Sequence, residues 1–154
     1  MEENDESKDE NSRQKTVDRG KTMKTKIERF EDLEVWKKAH KLAIETYNMT
    51  KQFPNEEKFG IVSQMRRSAV SVSANIAEGF KRRTPKDKSN FYNMSQSSLE
   101  ELKYYFILSK DLGYLQSEKD LQNLIESIGK MLYGLIKSIY REKVDSKQQT
   151  EDSR

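Results

Sequence analysis

The sequence predicts an all-α domain built as an antiparallel up-down-up-down four-helix bundle, and three observations carry that expectation. Four apolar stripes recur at helical spacing, and each is bounded by residues that start or stop helices. Gly and Pro are scarce, six and two in 154 residues, so long helices can run without interruption. Charged residues make up 36% of the chain against 33% hydrophobic, which gives those helices wide solvated faces and leaves material for one core only.

The first helix is expected to begin near Asp32, with Trp36, Ala39, Ala43 and Tyr47 on one face and Phe53-Pro54-Asn55 as its end. Asn55 reads as the cap of the second helix, with Glu56 and Glu57 at the positive end of its dipole. Val62, Met65, Ala69, Val72 and Ile76 form its stripe, and Gly79 its end. Thr84-Pro85-Lys86-Asp87 reads as the cap, first residue and capping-box acid of a third helix that runs through Leu99, Leu102, Phe106 and Leu112 to Gly113. Ser117 repeats the capping pattern for the fourth. Its stripe is Leu121, Leu124, Ile125, Ile128, Leu132, Leu135 and Ile139. Short connections force neighbouring helices to run antiparallel. The bundle is thus expected over residues 29–141. Residues 1–28 read as a disordered charged arm, acidic through Glu10 and then basic from Arg13 through Lys26, and residues 142–154 as a frayed tail.

Several function classes are disfavoured by composition. The chain has no cysteine, which excludes disulfides, thiolate metal sites and cysteine nucleophiles. The acidic start and the lack of a long apolar run give no signal peptide and no membrane span, so a cytoplasmic protein without membrane contact is expected. The triplets at Asn48 and Asn93 lie in helical patterns and read as chance glycosylation matches, and Gly20-Lys21-Thr22 lacks the earlier glycine of a phosphate loop. The single histidine, His40, has no partner for metal or base chemistry and reads as packing at the bundle edge. No catalytic residue, metal, cofactor or small-molecule substrate is expected.

Two polar features stand out. From Ser68 through Ala77 the second helix carries no charge. Gln64, Arg67, Ser71, Asn75 and Glu78 lie opposite its stripe, so close packing of another helix is expected there. The third helix has a broad apolar arc including Met94, Tyr105, Leu108 and Leu112, with Glu101 inside it. A buried carboxylate needs a partner, for which Arg66 or Arg67 is placed; Arg66, Arg67, Asn75, Glu78 and Glu101 are the expected structural polar network. Glu78 and Glu101 as an acid and base is the less favoured reading. The excess apolar surface predicts a homo-oligomer. The turn after the second helix supplies Lys81, Arg82, Arg83, Lys86 and Lys88, opposed by Asp87, which is a candidate grip on nucleic-acid phosphates. A net charge of only +3 keeps a pure protein scaffold open as the alternative.

Longer motifs carry a resemblance. They are Phe30-Glu31-Asp32-Leu33-Glu34-Val35-Trp36-Lys37-Lys38-Ala39, Phe53-Pro54-Asn55-Glu56-Glu57, Ser63-Gln64-Met65-Arg66-Arg67-Ser68-Ala69-Val70-Ser71 and Ser73-Ala74-Asn75-Ile76-Ala77-Glu78-Gly79. With Ser98-Leu99-Glu100-Glu101-Leu102 and Leu112-Gly113-Tyr114-Leu115, they resemble the four-helix-bundle proteins encoded in intervening sequences of bacterial large-subunit ribosomal RNA genes. Ser73 departs from the proline often found there in the family. The resemblance implies a bundle, ring-like homo-oligomers that are often pentamers, and no catalytic activity. It extends to accessory bundle proteins of diversity-generating retroelements, which bind nucleic acid and a reverse transcriptase. RNA or DNA and a reverse transcriptase are therefore the partners it implies, besides further copies of the chain.

Overall fold

The computed structural model describes residues 26–153, so the arm expected over residues 1–28 lies almost wholly outside the described residues. Four α-helices and no strand are present among these residues: α1 Glu34–Thr50, α2 Ile61–Lys81, α3 Pro85–Asp111 and α4 Lys119–Glu151. A 3-10 turn, Phe30–Asp32, precedes α1, and a second, Asn55–Glu57, separates α1 from α2. The fold is the all-α four-helix bundle that the stripes predict. Met65, Ala69, Val72 and Ile76 of α2 meet Leu102 and Phe106 of α3, Ile128 and Leu132 of α4 and Leu42 of α1 in one core from which solvent is excluded.

The closest pair is α2 with α3, and small residues explain why. Ser71, Val72 and Gly79 on α2 face Ser98, Ser95 and Tyr92 on α3. The Ser71 and Ser98 hydroxyls lie 2.8 Å apart, and Ser95 Oγ donates to the Val72 carbonyl at 2.8 Å. As numbers rise along α2 the facing numbers fall along α3, so this pair is antiparallel. The uncharged run on α2 thus packs against a helix, as expected, but the helix is in the same chain. Those serines are absorbed inside the bundle and do not themselves call for a second copy.

Helix ends follow local chemistry, with four departures from expectation. Thr84 caps α3, accepting a hydrogen bond from Asp87 N–H at 3.1 Å, with Pro85 in the first turn. Gly113, at φ 80°, closes α3: its N–H donates to the Lys110 carbonyl and the Tyr114 N–H to that of Ser109, both at 2.9 Å. Asn55 does not cap α2. The Phe53-Pro54 corner puts Asn55 in a 3-10 turn, and α2 starts after Gly60, where the Glu57 carboxylate accepts from Ile61 N–H at 3.2 Å. Gly79 lies inside α2, because its role is close approach to Tyr92 rather than helix termination. Ser117 does not start α4, whose N-cap position is Glu118. The tail expected to fray after Arg141 is instead the last part of α4. Lys, Glu and Gln are good helix formers with no Gly or Pro among them, so backbone bonds persist to Glu151 although the side chains from Arg141 onward are exposed.

On α1 the buried side includes Leu42, Thr46 and Thr50, while Tyr47 and Ile44 face solvent. Two threonines in the core are tolerated because each donates to the previous helical turn, Thr46 to the Leu42 carbonyl at 2.7 Å and Thr50 to that of Thr46 at 2.8 Å. The exposed His40 ring stacks on Trp36, with centroids 5.0 Å apart.

Candidate functional site

The basic turn joins α2 to α3 at one end of the bundle, and the structure divides its five cations by task. Lys88 is half-buried and turns inward. Its Nζ donates to the Phe80 carbonyl at 2.9 Å and the Gly79 carbonyl at 3.3 Å and lies over the Phe80 ring. These carbonyls end α2 and carry the negative pole of its dipole, so Lys88 acts as a tertiary cap. Loss of water around it pulls its ammonium below the ordinary lysine range, against the opposing pull of Glu142. Arg82 pairs with Glu78 at 3.1 Å and covers the Phe91 ring at 4.6 Å. Lys81, Arg83 and Lys86 are exposed and make no ion pair among the described residues. The turn that presents them is held by the Thr84 cap on one side and by Lys88 on the other.

Helix α4 contributes the second wall. Between the turn and the stretch Leu135–Ser146 lies a groove of about 470 Å³ with an apolar floor of Leu33, Phe80, Tyr92 and Ile139 and a polar rim that includes Arg83, Lys88, Lys143 and the opposing Glu142. Ser89 Oγ donates to the Tyr140 hydroxyl at 3.1 Å and ties the start of α3 to this part of α4. Sequence reasoning missed Lys143, because the tail that carries it loses its apolar stripe. Only the continued helix brings it opposite Arg83. Glu31 lies near enough to Lys81 to feel its charge. Its carboxyl is held below the usual range chiefly by a backbone hydrogen bond, then by Arg29, with Lys81 adding to this.

The expected polar network is resolved into separate contacts. Arg67, not Arg66, pairs with Glu101, and the Tyr105 hydroxyl donates to the same carboxylate at 2.9 Å. Both partners are partly open to solvent, with side-chain exposures of 53% and 36%, so this is a surface pair and not the buried one expected. Glu101 sits at the margin of the α2–α3 seam rather than beneath it. Arg66 faces α1 instead, donating through Nε to Thr50 Oγ1 at 2.9 Å and covering the Tyr47 ring at 4.7 Å. Asn75 bonds locally, from Nδ2 to the Ser71 carbonyl at 2.9 Å, and Glu78 is taken by Arg82. Glu101 lies beside Arg67, about three helical turns along α2 from Glu78, which is held by Arg82, and the two carboxylates are not brought together. Among the described residues, no group of three or more His, Asp or Glu could hold a metal ion.

Comparison with known proteins settles the lineage. The family model of the 23S rRNA-intervening sequence protein matches residues 31–134, which span all of α1, α2 and α3 and half of α4. The chain belongs to this family. Its fold is similar to a crystal structure of a protein of unknown function from the S23 ribosomal protein family of Bacteroides thetaiotaomicron. That likeness has 29% identity and a TM-score of 0.62, and it covers 67% of this chain and 95% of the other. A search of curated proteins finds no match. The family match ends at residue 134, before Lys143, so the α4 wall of the groove lies outside the matched segment. No described helix is long and apolar enough to cross a membrane.

Proposed function

We propose that this intervening-sequence protein is a non-enzymatic, self-associating bundle of the cytoplasm that grips the phosphate backbone of RNA or DNA with the basic end of α2 and α3. The observation that carries the reading is that Lys81, Arg83 and Lys86 are exposed, without ion partners among the described residues, on a turn fixed at both sides. Phosphate contacts need cations held at a solvent-accessible place, and a capped turn between rigid helices holds them without a further ordering cost. Lys143 extends the same patch across the groove. The family name refers to 23S rRNA, which makes RNA the first probe.

Self-association rests on apolar side chains that the bundle leaves in solvent, including Met94, Tyr104 and Leu112, each at least half exposed. Copies arranged around an axis would repeat the basic patch and raise affinity through multivalency. The scaffold reading has its own support in Phe59, 89% exposed at the opposite end and suited to anchoring in a protein partner.

Replacing Lys81, Arg83 and Lys86 with Ala tests the nucleic-acid reading. Each phosphate contact contributes a slope of roughly −0.7 to −0.9 to the log–log dependence of affinity on salt, so the triple variant should flatten it by about two. Equal slopes for folded variant and wild type would transfer support to the scaffold reading.

A further inference from the structure

The chain begins with a segment of one charge and carries a groove of the other. Glu2, Glu3, Asp5, Glu6, Asp9 and Glu10 place six carboxylates within nine residues, opposed only by Lys8. Leu33, just beyond the 3-10 turn that leads into α1, lines the groove whose rim carries three cations, Arg83, Lys88 and Lys143, against one carboxylate, Glu142. The arm therefore joins the folded domain at the mouth of the groove. We infer that residues 2–10 dock on this basic groove in their own chain and so compete with nucleic acid for it. The competition rests on the phosphate-binding reading above, whereas the docking does not.

Geometry permits the contact. About fifteen residues separate Glu10 from Lys26, a length that can reach up to about 50 Å and so brings the acidic segment within range of the whole groove. Such a tether holds the segment at an effective concentration on the order of millimolar, so even a weak electrostatic contact is substantially occupied. Charge pairing within the arm, between residues 2–10 and the basic stretch from Arg13 to Lys26, is the rival arrangement. The groove has the advantage that Arg83, Lys88 and Lys143 are borne on elements of the bundle and flank an apolar floor, with Lys88 held in place by the Phe80 carbonyl and Glu142 as the opposing carboxylate. The basic stretch is itself repelled by the groove, which leaves the acidic segment as the part drawn to it.

Because the chain has no cysteine, Ser7→Cys gives a single attachment site for a nitroxide label on the full-length protein. At low salt the label should broaden the amide NMR signals of residues 80–88 and 138–146. At about 0.5 M salt, where the screening length falls to a few ångströms, the broadening should fade. Broadening confined to residues 11–29, or equal at both salts, would overturn the inference. In a second arm, the six carboxylates are changed to Gln or Asn. RNA affinity at low salt should then tighten about three- to tenfold, as expected when a tethered competitor at millimolar effective concentration is removed. The gain should disappear when Arg83→Ala and Lys143→Ala are added; a gain that persists would mean that the carboxylates act by general repulsion and would overturn docking at the groove. Failure of every protein to bind RNA would defeat the phosphate-binding reading alone, since the label measurement decides the docking by itself.

Discussion

Gly79→Ala examines the closest approach of two helices in the bundle. A Cβ at this position would lie 2.6 Å from Tyr92 Cε1, 2.9 Å from Tyr92 Cδ1 and 3.1 Å from Phe91 Cβ. The Tyr92 ring is only 2% exposed and has no flexible end that can swing aside, so α3 must move away from α2. Overpacking of this kind costs about 1–3 kcal/mol, and contacts this short against an enclosed ring place it in the upper part, about 2–3 kcal/mol; the better helix propensity of Ala returns about 1 kcal/mol, leaving a net loss of about 1–2 kcal/mol. For a domain of this size that is a fall of about 4–8 °C in melting temperature. Gly134→Ala is the matched control. Gly134 is also helical but exposed, with nothing within 4 Å of its added Cβ, so there the same substitution should stabilise by about 0.5–1 kcal/mol. Thermal unfolding followed by circular dichroism, at one protein concentration because self-association shifts the midpoint, compares the two. Gly79→Ala melting at or above the wild-type temperature would refute the packing reasoning.

Three further outcomes are expected. Glu101→Gln should lower stability by less than about 1 kcal/mol, because its pair with Arg67 is open to solvent; a loss of 3 kcal/mol or more in chemical denaturation would show the carboxylate to be buried in solution. Thr84→Ala should cost about 1 kcal/mol through loss of the α3 cap, measured the same way, and an unchanged midpoint would mean that the cap is not formed. Burial raises the Tyr92 hydroxyl to a pKa of about 12, above its ordinary value of 10.0. The stability it contributes is complete below pH 10 and lost as pH rises towards 12, so Tyr92→Phe should flatten the alkaline decline in that window, and an identical decline in both proteins would contradict the assignment.

The legible part of the molecule is the part fixed by local rules. Leu99, Leu102 and Phe106, or Ile125, Ile128 and Leu132, are spaced so that only a helix can bury them together, and Thr84-Pro85 starts a helix through groups within four residues of one another. Misreadings arose where a competing neighbour or a distant element takes over a role. Asn55 is a good cap in isolation, but the Phe53-Pro54 corner delays the helix and Glu57 supplies the oxygen. Gly79 resembles a stop signal, yet what demands glycine is Tyr92, on another helix. Of the five cations of the basic turn, nothing local distinguishes Lys88, which faces carbonyls, from Lys86, which faces water. Lys143 was invisible as a site residue for the same reason, since its relation to Arg83 exists only once α4 packs alongside the turn.

The central claim, that the basic end of the bundle holds nucleic acid, is tested most directly by titrating a short RNA into the isotopically labelled full-length protein and following the amide NMR signals. Signals from residues 80–88 and 138–146 should shift together and return as salt is raised. Shifts gathered instead around Phe59, or no shift even at low salt, would contradict the account.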